Sequence, residues 1–198
     1  MSQRDPQVTV VERYPAAPAA ARFERELLDH ARRRETRRGC VSRLTAVLTG
    51  RRGYVHIDRW SGLDLLLRVV HATPAPSDPT PSHTELLVSV GSVAGSGTPA
   101  GAARLVFVRA TVTGDPEKFE LAFGALAGAC LADERFGGSE LLRSVADPYA
   151  YTGLLWWQDA EAYERDWAGA PLLARRAELA TLAHLTEEPA EPLGQGAF

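Results

Sequence analysis

Four residues with chemically useful side chains alternate along one short segment of the chain: Tyr54, His56, Asp58 and Trp60. The segment predicts a strand, and strand side chains point alternately to opposite faces, so these four residues share a face. Neighbours on one face lie about 7 Å apart along the strand, which lets Asp58 reach and orient the His56 ring. A histidine held by a carboxylate can act as a general base near neutral pH. We interpret His56 and Asp58 as catalytic candidates, with Tyr54 and Trp60 packing against a substrate ring.

Two other interpretations of this region stay open. If the strand is turned over, His56 and Asp58 are solvated or lie in an interface, and neither has a catalytic role. His30 belongs to a predicted helix over residues 19–34 and occupies the position of Leu126 in the second half of the chain. It therefore either approaches the same site or is an ordinary half-buried histidine.

A second aromatic group occurs in the second half of the chain. A predicted strand begins near Tyr151 and ends at Trp157, and a helix capped by Asp159 carries Tyr163. Trp157, Tyr163 and Tyr151 are therefore candidates for binding a flat aromatic ligand by stacking. The alternative is a plain aromatic core between strand and helix.

Metal chemistry finds no support in the spacing of imidazole and thiol side chains. The five histidines include no pair with helical ligand spacing. The two cysteines, Cys40 and Cys130, belong to no paired motif. The sequence therefore predicts no metal site and two reduced thiols.

The elements that must position these residues occur twice along the chain. Phe119 follows Phe23 by 119 − 23 = 96 positions, and Trp157 follows Trp60 by 157 − 60 = 97. Each copy reads strand–helix–strand–strand–helix, and a fourth strand is evident only in the first copy, at 85–93. This order predicts an α+β fold of tandem ferredoxin-like (split βαβ) repeats that form an intramolecular α+β barrel pseudo-dimer.

The predicted boundaries follow from composition. The first repeat spans residues 1–94, a linker rich in Gly, Ala and Ser spans 95–103, and the second repeat spans 104–198. The last helix is predicted over 172–185. Residues 186–198 contain two prolines and two glycines, and no fourth strand is predicted there.

The second repeat resembles a known family over about residues 104–182. The resemblance rests on a strand, a helix, a Gly-Gly strand and a strand ending in Trp: Phe107–Val112, Asp115–Phe123, Phe136–Ser144, and Tyr151–Trp157 followed by Asp159–Tyr163. These segments are similar to the antibiotic biosynthesis monooxygenase family of the dimeric α+β barrel superfamily. The tandem arrangement resembles members that tailor aromatic polyketides.

The resemblance implies a pocket for a flat aromatic molecule and oxidation with O2, without metal, flavin or other cofactor. Trp157 and Tyr163 match two site positions of the family. The family's Asn, four residues before that Trp, is Gly153 here, and in the first repeat it is His56. The family's helix Tyr is matched in the first repeat by Leu66. A cavity-facing Arg of the family falls near Arg175 or Arg176.

The leading hypothesis is therefore a cofactor-independent monooxygenase that uses O2 on a phenol- or anthrone-type carbon of an aromatic polyketide. The alternatives are a polyketide cyclase, which needs no O2, and a non-catalytic polyketide-binding or scaffold subunit. The departures from the family pattern in each repeat favour the scaffold subunit.

Composition excludes several other classes of protein. With 22 Lys and Arg against 25 Asp and Glu, the formal charge of the 198-residue chain is −3, which argues against a nucleic-acid binder. No apolar run is long enough to span a membrane, and the polar first six residues lack a signal core, so we expect a cytoplasmic protein without a membrane partner. A homodimer of the whole chain is compatible with these data.

Overall fold

The structure is a computed structural model that describes residues 7–70, 76 and 78–194. It confirms an α+β fold. The elements of the first half are β1 (Val8–Pro15), α1 (Ala20–Glu35), β2 (Cys40–Leu48), β3 (Gly53–Trp60), α2 (Leu63–Val70) and β4 (His83–Ala94). Those of the second half are β5 (Arg104–Val112), α3 (Pro116–Cys130), β6 (Phe136–Ser144), β7 (Ala150–Trp157), α4 (Ala160–Trp167), α5 (Ala170–Leu182) and β8 (Ala183–Pro192).

The chain divides into two compact units. Among the described residues, the first unit comprises those up to Val88 together with Leu193 and Gly194. Its strands form an antiparallel sheet in the order β2-β3-β1-β4. The register places Glu12 of β1 on one side of His56 and Thr45 of β2 on the other. His56 therefore lies on a central strand, between polar residues of both neighbours.

Helix α1 packs against β2 and β3 of the first unit. Its buried residues include Phe23, Leu27, His30 and Arg34, which recur at intervals of four, three and four. This spacing places them on one face of the helix. Phe23 packs against the ring of Tyr54 at a centroid distance of 5.0 Å. The face is thus apolar at its N-terminal end and polar toward its C-terminal end.

The second unit extends from Ser89 to Pro192. Its strands form an antiparallel sheet in the order β6-β7-β5-β8. Counted along the chain within each unit, the strand order is second-third-first-fourth in both units. A large apolar core includes Phe119, Phe123, Trp157 and Tyr163. The two central strands of this sheet, β5 and β7, are the ones that contribute most of its buried aromatic and branched residues.

The C-terminal region differs from the sequence-based expectation. Helix α5 ends at Leu182 instead of 185, and residues 183–192 form β8, where no strand was predicted. Strand β8 pairs with β5 from Ala183 opposite Val112 to Ala190 opposite Leu105. Pairing with a buried neighbour makes this segment a strand, because strand formation depends on context more than on propensity.

The two compact units divide after Val88, inside β4, and the predicted repeats divide at residue 94. A division into compact units does not test where a repeat begins or ends, so the repeat boundaries stay predictions. Among the described helices, none is long and apolar enough to span a membrane. The first six residues, on which part of the cytoplasmic expectation depends, lie outside the described residues, and so does His71.

Candidate functional site

His56 and Asp58 come together between the sheet and helix α1 of the first unit. His56 Nε2 lies 3.0 Å from Asp58 Oδ1, and neither side chain has any solvent exposure. The contact has the distance of an ion pair, although its direction departs from that of a hydrogen bond. The alternation along β3 thus identified two residues that are adjacent in the structure.

Three further residues join this pair, and two of them are on α1. Arg34 Nη1 lies 2.8 Å from Asp58 Oδ2 and 3.1 Å from Glu12 Oε1. His30 Nε2 lies 3.6 Å from Glu12 Oε2, and its ring contacts that of His56 at a centroid distance of 5.6 Å. We call Glu12, His30, Arg34, His56 and Asp58 the buried charge cluster. Its side chains are at most 7% exposed.

Glu12 and Arg34 were not among the residues predicted from the sequence, and for His30 a place near this site was only one of two alternatives. The sequence contains a periodic pattern in both elements that carry these residues, helix α1 and strand β1. His30 and Arg34 continue the helical spacing that begins at Phe23 and Leu27. Glu12 lies in the alternating run of β1, on the same face as the buried Val10. Helical spacing on α1 and alternation on β1, with polar residues included, would have placed these residues on buried faces, although not in contact with one another.

The second ring nitrogen of His56 also has a partner. His56 Nδ1 and Thr45 Oγ1 lie 3.0 Å apart in a buried hydrogen bond. With Asp58 beside Nε2, the neutral tautomer that suits both contacts carries its hydrogen on Nε2 and accepts a hydrogen bond at Nδ1 from the Thr45 hydroxyl. The lone pair of Nδ1 is therefore the basic position of His56.

Glu12 is the carboxylate of the cluster whose ionisation is best defined. Burial alone would raise its pKa, but the nearby His30 and the charge of Arg34 outweigh burial and lower the pKa of Glu12 to about 2. Tyr14 donates a hydrogen bond to Glu12 at 3.0 Å. Glu12 is therefore ionised across the physiological pH range.

The cluster also contains residue types that bind metals. One ligand atom each from Glu12, His30 and His56 lies within 4.8 Å of the others. The guanidinium of Arg34, however, already contacts both carboxylates and neutralises part of their charge. A metal at these three residues would have to share Glu12 with the guanidinium of Arg34.

Tyr54 and Trp60 lie near opposite ends of the same strand and belong to two different apolar clusters. Tyr54 is fully buried against Phe23, and its hydroxyl donates to Glu24 at 3.2 Å. Trp60 is fully buried in a small apolar cluster with Val8 and Leu66. The two rings therefore lie on either side of His56 and Asp58 along β3.

In the second unit, Trp157 is enclosed by other aromatic side chains. Its ring lies 5.2 Å from Phe136, 5.3 Å from Tyr163 and 5.7 Å from Trp167, measured between centroids. Trp157 has no solvent exposure, and Tyr163 is 9% exposed. These contacts form a continuous aromatic core around two of the candidate ligand-binding residues.

Gly153 stands where the resemblance predicts an Asn, and the ring of Phe123 lies beside it. A Cβ atom at this position would lie 2.4 Å from Cε2 of Phe123. The Phe123 ring therefore occupies the volume that a side chain at residue 153 would need. Tyr151, two residues away, packs on Phe119 and donates a hydrogen bond to Glu120 at 2.7 Å. Burial, together with this bond, raises the pKa of Tyr151 to about 12, so its hydroxyl stays protonated.

Of the two arginines expected near a cavity, Arg176 forms hydrogen bonds and a ring contact with residues of its own unit. Its guanidinium forms two hydrogen bonds with Glu187 and lies 4.5 Å from the Trp167 ring centroid. Arg175 is half-exposed and pairs with Glu178 on the same helix. Both side chains therefore stabilise α5 and its contacts.

An open cavity of about 260 Å³ in the second unit lies at the end of α3, beside Cys130, Asp133 and Asp166. Burial raises the pKa of Cys130 to about 12, so its thiol is protonated and unreactive at neutral pH. Arg165 contacts Asp133 across this region at 2.6 Å. None of the residues that line this cavity belongs to the predicted sites.

The fold is shared with solved structures at very low sequence identity. A protein from Fusobacterium nucleatum, provisionally named a monooxygenase, superposes with a TM-score of 0.73 at 7% identity, over 98% of this chain and 97% of that one. A similarly named protein from Lactobacillus acidophilus gives 0.68 at 10% identity, over 98% and 99%. A protein described as anthrone oxidase-like gives 0.68 at 12% identity, over 98% and 94%. No protein-family model matches the chain, and no curated protein matches it significantly.

Proposed function

We propose that the chain is a cofactor-independent monooxygenase that oxidises a phenol- or anthrone-type carbon of an aromatic polyketide with O2. Its two halves are tandem ferredoxin-like repeats of the antibiotic biosynthesis monooxygenase type. The single observation that carries the proposal is the contact of 3.0 Å between His56 and Asp58 on a fully buried face of β3. The fold shared with proteins that are named as oxygenases is consistent with it.

The chemistry begins with a proton transfer to His56. Asp58 holds the His56 ring so that the lone pair of Nδ1 faces the Thr45 hydroxyl. The acidic O–H or C–H group of the substrate either takes the place of the Thr45 hydroxyl or passes its proton to Nδ1 through that hydroxyl. The resulting anion is electron-rich and transfers an electron to O2. For an anthrone, the methylene carbon becomes a carbonyl: one oxygen atom enters the product, and the other leaves as water with the two hydrogens of the substrate.

The surroundings of His56 in the first unit are suited to a substrate anion, because they shield it from protonation by water while it reacts with O2. Asp58, His56 and His30 have no solvent exposure, and the rings of Tyr54 and Trp60 lie on the two sides along β3. Exclusion of water strengthens electrostatic contacts and prevents reprotonation of a carbanion. In the second unit, Trp157, Tyr163 and Tyr151 are proposed to form a second aromatic surface for the ligand.

Oxygen consumption tests this function. Metal-stripped, full-length protein is offered a panel of anthrones and naphthols, and O2 uptake is compared with quinone formation. We expect matched uptake and product, and a fall of about 10²–10⁴-fold in rate for His56→Gln, the usual contribution of a general base. His83→Gln is the matched control, because His83 also pairs with a carboxylate two residues away, Glu85, but is half-exposed.

Two outcomes would contradict the proposal. Full activity in His56→Gln would exclude this residue as the base. Absence of O2 uptake with every substrate, while calorimetry still detects binding, would favour a cyclase or a non-catalytic polyketide-binding subunit.

A non-catalytic subunit is the second candidate, and two observations favour it. Both ring nitrogens of His56 already have partners, Thr45 and Asp58. In the second unit, Phe123 occupies the space beside Gly153 where the family carries its polar side chain. A chain of this kind would hold a substrate or a partner enzyme without transforming the substrate.

A further inference from the structure

Two polar atoms of the buried charge cluster have no hydrogen-bond partner among the described residues: Nε2 of His56 and Oδ1 of Asp58. They lie 3.0 Å apart, and neither side chain has any solvent exposure. A buried polar atom that forms no hydrogen bond is costly, so its presence points to a role in catalysis or in binding a ligand. A cation bound at Nε2 of His56 would also lie beside the unpartnered oxygen of Asp58.

Two further side chains bring metal-binding atoms to the same place. One ligand atom each of Glu12, His30 and His56 lies within 4.8 Å of the others, and His30 Nε2 is 3.6 Å from Glu12 Oε2. Two ligands of a tetrahedral zinc ion, each bound at about 2.1 Å, are about 3.4 Å apart, so this pair already has nearly the required separation. The other separations must fall from at most 4.8 Å to about 3.4 Å, a change that small rotations of the side chains provide.

The contacts of Glu12 leave it able to bind a metal through one oxygen. Its pKa of about 2 keeps the carboxylate ionised. Arg34 contacts Oε1 at 3.1 Å, whereas Oε2 is the oxygen that faces His30. Tyr14 donates a hydrogen bond to Oε2, which has a second lone pair for a metal. A carboxylate oriented in this way by its own hydrogen-bond partners is typical of metal sites.

The hydroxyl of Thr45 does the same for His56. A hydroxyl both donates and accepts, so the bond of 3.0 Å between Thr45 Oγ1 and His56 Nδ1 suits either neutral tautomer of the ring. With the hydrogen on Nδ1, the ring donates to Thr45 and the lone pair is on Nε2. A histidine that binds a metal through one nitrogen commonly donates its other N–H to an oxygen in this way.

The donor set selects the kind of metal. Two imidazoles and one carboxylate are the protein ligands of many zinc sites with an open fourth position, whereas Mg²⁺ and Ca²⁺ prefer oxygen ligands. We propose that Glu12, His30 and His56 form a binding site for one zinc ion, with Asp58 beside it. Its meaning for the reaction rests on the proposed function. Zinc at Nε2 fixes the ring hydrogen on Nδ1, the nitrogen that must accept the substrate proton, so zinc inhibits the reaction with O2.

Equilibrium dialysis of metal-stripped, full-length protein against zinc chloride tests the site without substrate. It suits a buried site, because the ion has time to enter. We expect one zinc ion for each chain, and a loss of affinity of at least about tenfold in His30→Gln, His56→Gln and Glu12→Gln. Two controls should bind zinc as the wild-type protein does. His83→Gln removes a half-exposed histidine that also faces a carboxylate, and Glu26→Gln removes an exposed carboxylate of α1.

A measurement on the wild-type protein covers any variant that fails to fold. Co²⁺ in place of zinc absorbs visible light strongly when four ligands surround it and weakly when six do. We expect the strong absorption of a four-coordinate ion, displaced by added zinc. No retained zinc, weak cobalt absorption, or an equal loss of affinity in His83→Gln would overturn the proposal.

Oxygen consumption with and without zinc then separates the two proposals. Zinc binding together with no O2 uptake by the metal-stripped protein would reject the oxygenase and keep the zinc site. O2 uptake by a protein that binds no zinc would do the reverse. O2 uptake that continues unchanged with zinc bound would overturn the inhibition.

Discussion

At the scale of single residues, Glu12 determines how the first unit responds to acid. It is buried in contact with Arg34 and His30, and these partners lower its pKa from 4.5 to about 2 against the effect of burial. A carboxylate whose pKa is lower in the folded state than in the unfolded state stabilises the fold while it is ionised in both. That contribution is present above about pH 5 and is lost as the pH falls toward 2.

The predicted consequence is a difference in acid stability between the wild-type protein and Glu12→Gln. A lowering of about 2.5 pKa units corresponds to about 3 kcal/mol in the free energy of unfolding. We expect wild-type stability, measured by urea denaturation between pH 7 and pH 2.5, to fall more steeply than that of the variant by up to this amount. Glu26→Gln serves as the control and should follow the wild-type curve. Parallel curves for Glu12→Gln and the wild-type protein would show that Glu12 is not the residue responsible.

At the scale of elements, strands and helices with an alternating or helical apolar pattern could be predicted from the sequence. A strand that forms only because it pairs with a neighbouring strand could not. Strand β3 and helix α3 have clear patterns. Strand β8 has none, since Pro189 and Pro192 interrupt it, and it forms because β5 offers a partner from Ala183 to Ala190. The site follows the same rule. His56 and Asp58 share one strand and were found by alternation. Arg34 reaches Asp58 from α1, and no local pattern encodes a contact between elements.

The packing of α3 on β7 gives a prediction at this scale. Gly153 lets the Phe123 ring lie against the strand, and a methyl group there would come within 2.4 Å of that ring. We expect Gly153→Ala to lower the free energy of unfolding by about 1–3 kcal/mol, the usual effect of overpacking a core. Gly124→Ala is the control, because a Cβ atom there meets nothing within 4 Å and alanine favours a helix. Equal melting temperatures for Gly153→Ala and wild type would mean that α3 is not held against β7 as described.

At the scale of the whole molecule, the chain leaves the first unit after Val88 and returns to it at Leu193. The backbone N–H of Leu193 donates a hydrogen bond of 2.7 Å to the carbonyl oxygen of Thr45, the residue beside His56. Gly194 lies against Leu28 of α1. The first unit, including the strand that carries Thr45, is therefore completed by residues from the other end of the sequence.

Truncation tests this arrangement. A chain that ends at Pro192 loses the hydrogen bond to Thr45, whereas a chain that ends at Gly194 keeps it. We expect hydrogen exchange in β2 to accelerate in the shorter chain and to stay unchanged in the longer one. Protection in β5 and β7, the central strands of the second unit, should be the same in both chains. Unchanged protection at β2 in the shorter chain would show that the returning segment contributes nothing to the first unit.

The uneven distribution of indole rings has a spectroscopic consequence. Three of the four tryptophans, Trp156, Trp157 and Trp167, belong to the second unit, and Trp60 alone belongs to the first. Trp157 and Trp167 are in ring contact, so excitation energy passes readily between them. Intrinsic fluorescence of the intact chain therefore reports mainly on the second unit. In a Trp60→Phe protein it reports on that unit alone, while far-ultraviolet circular dichroism still follows both.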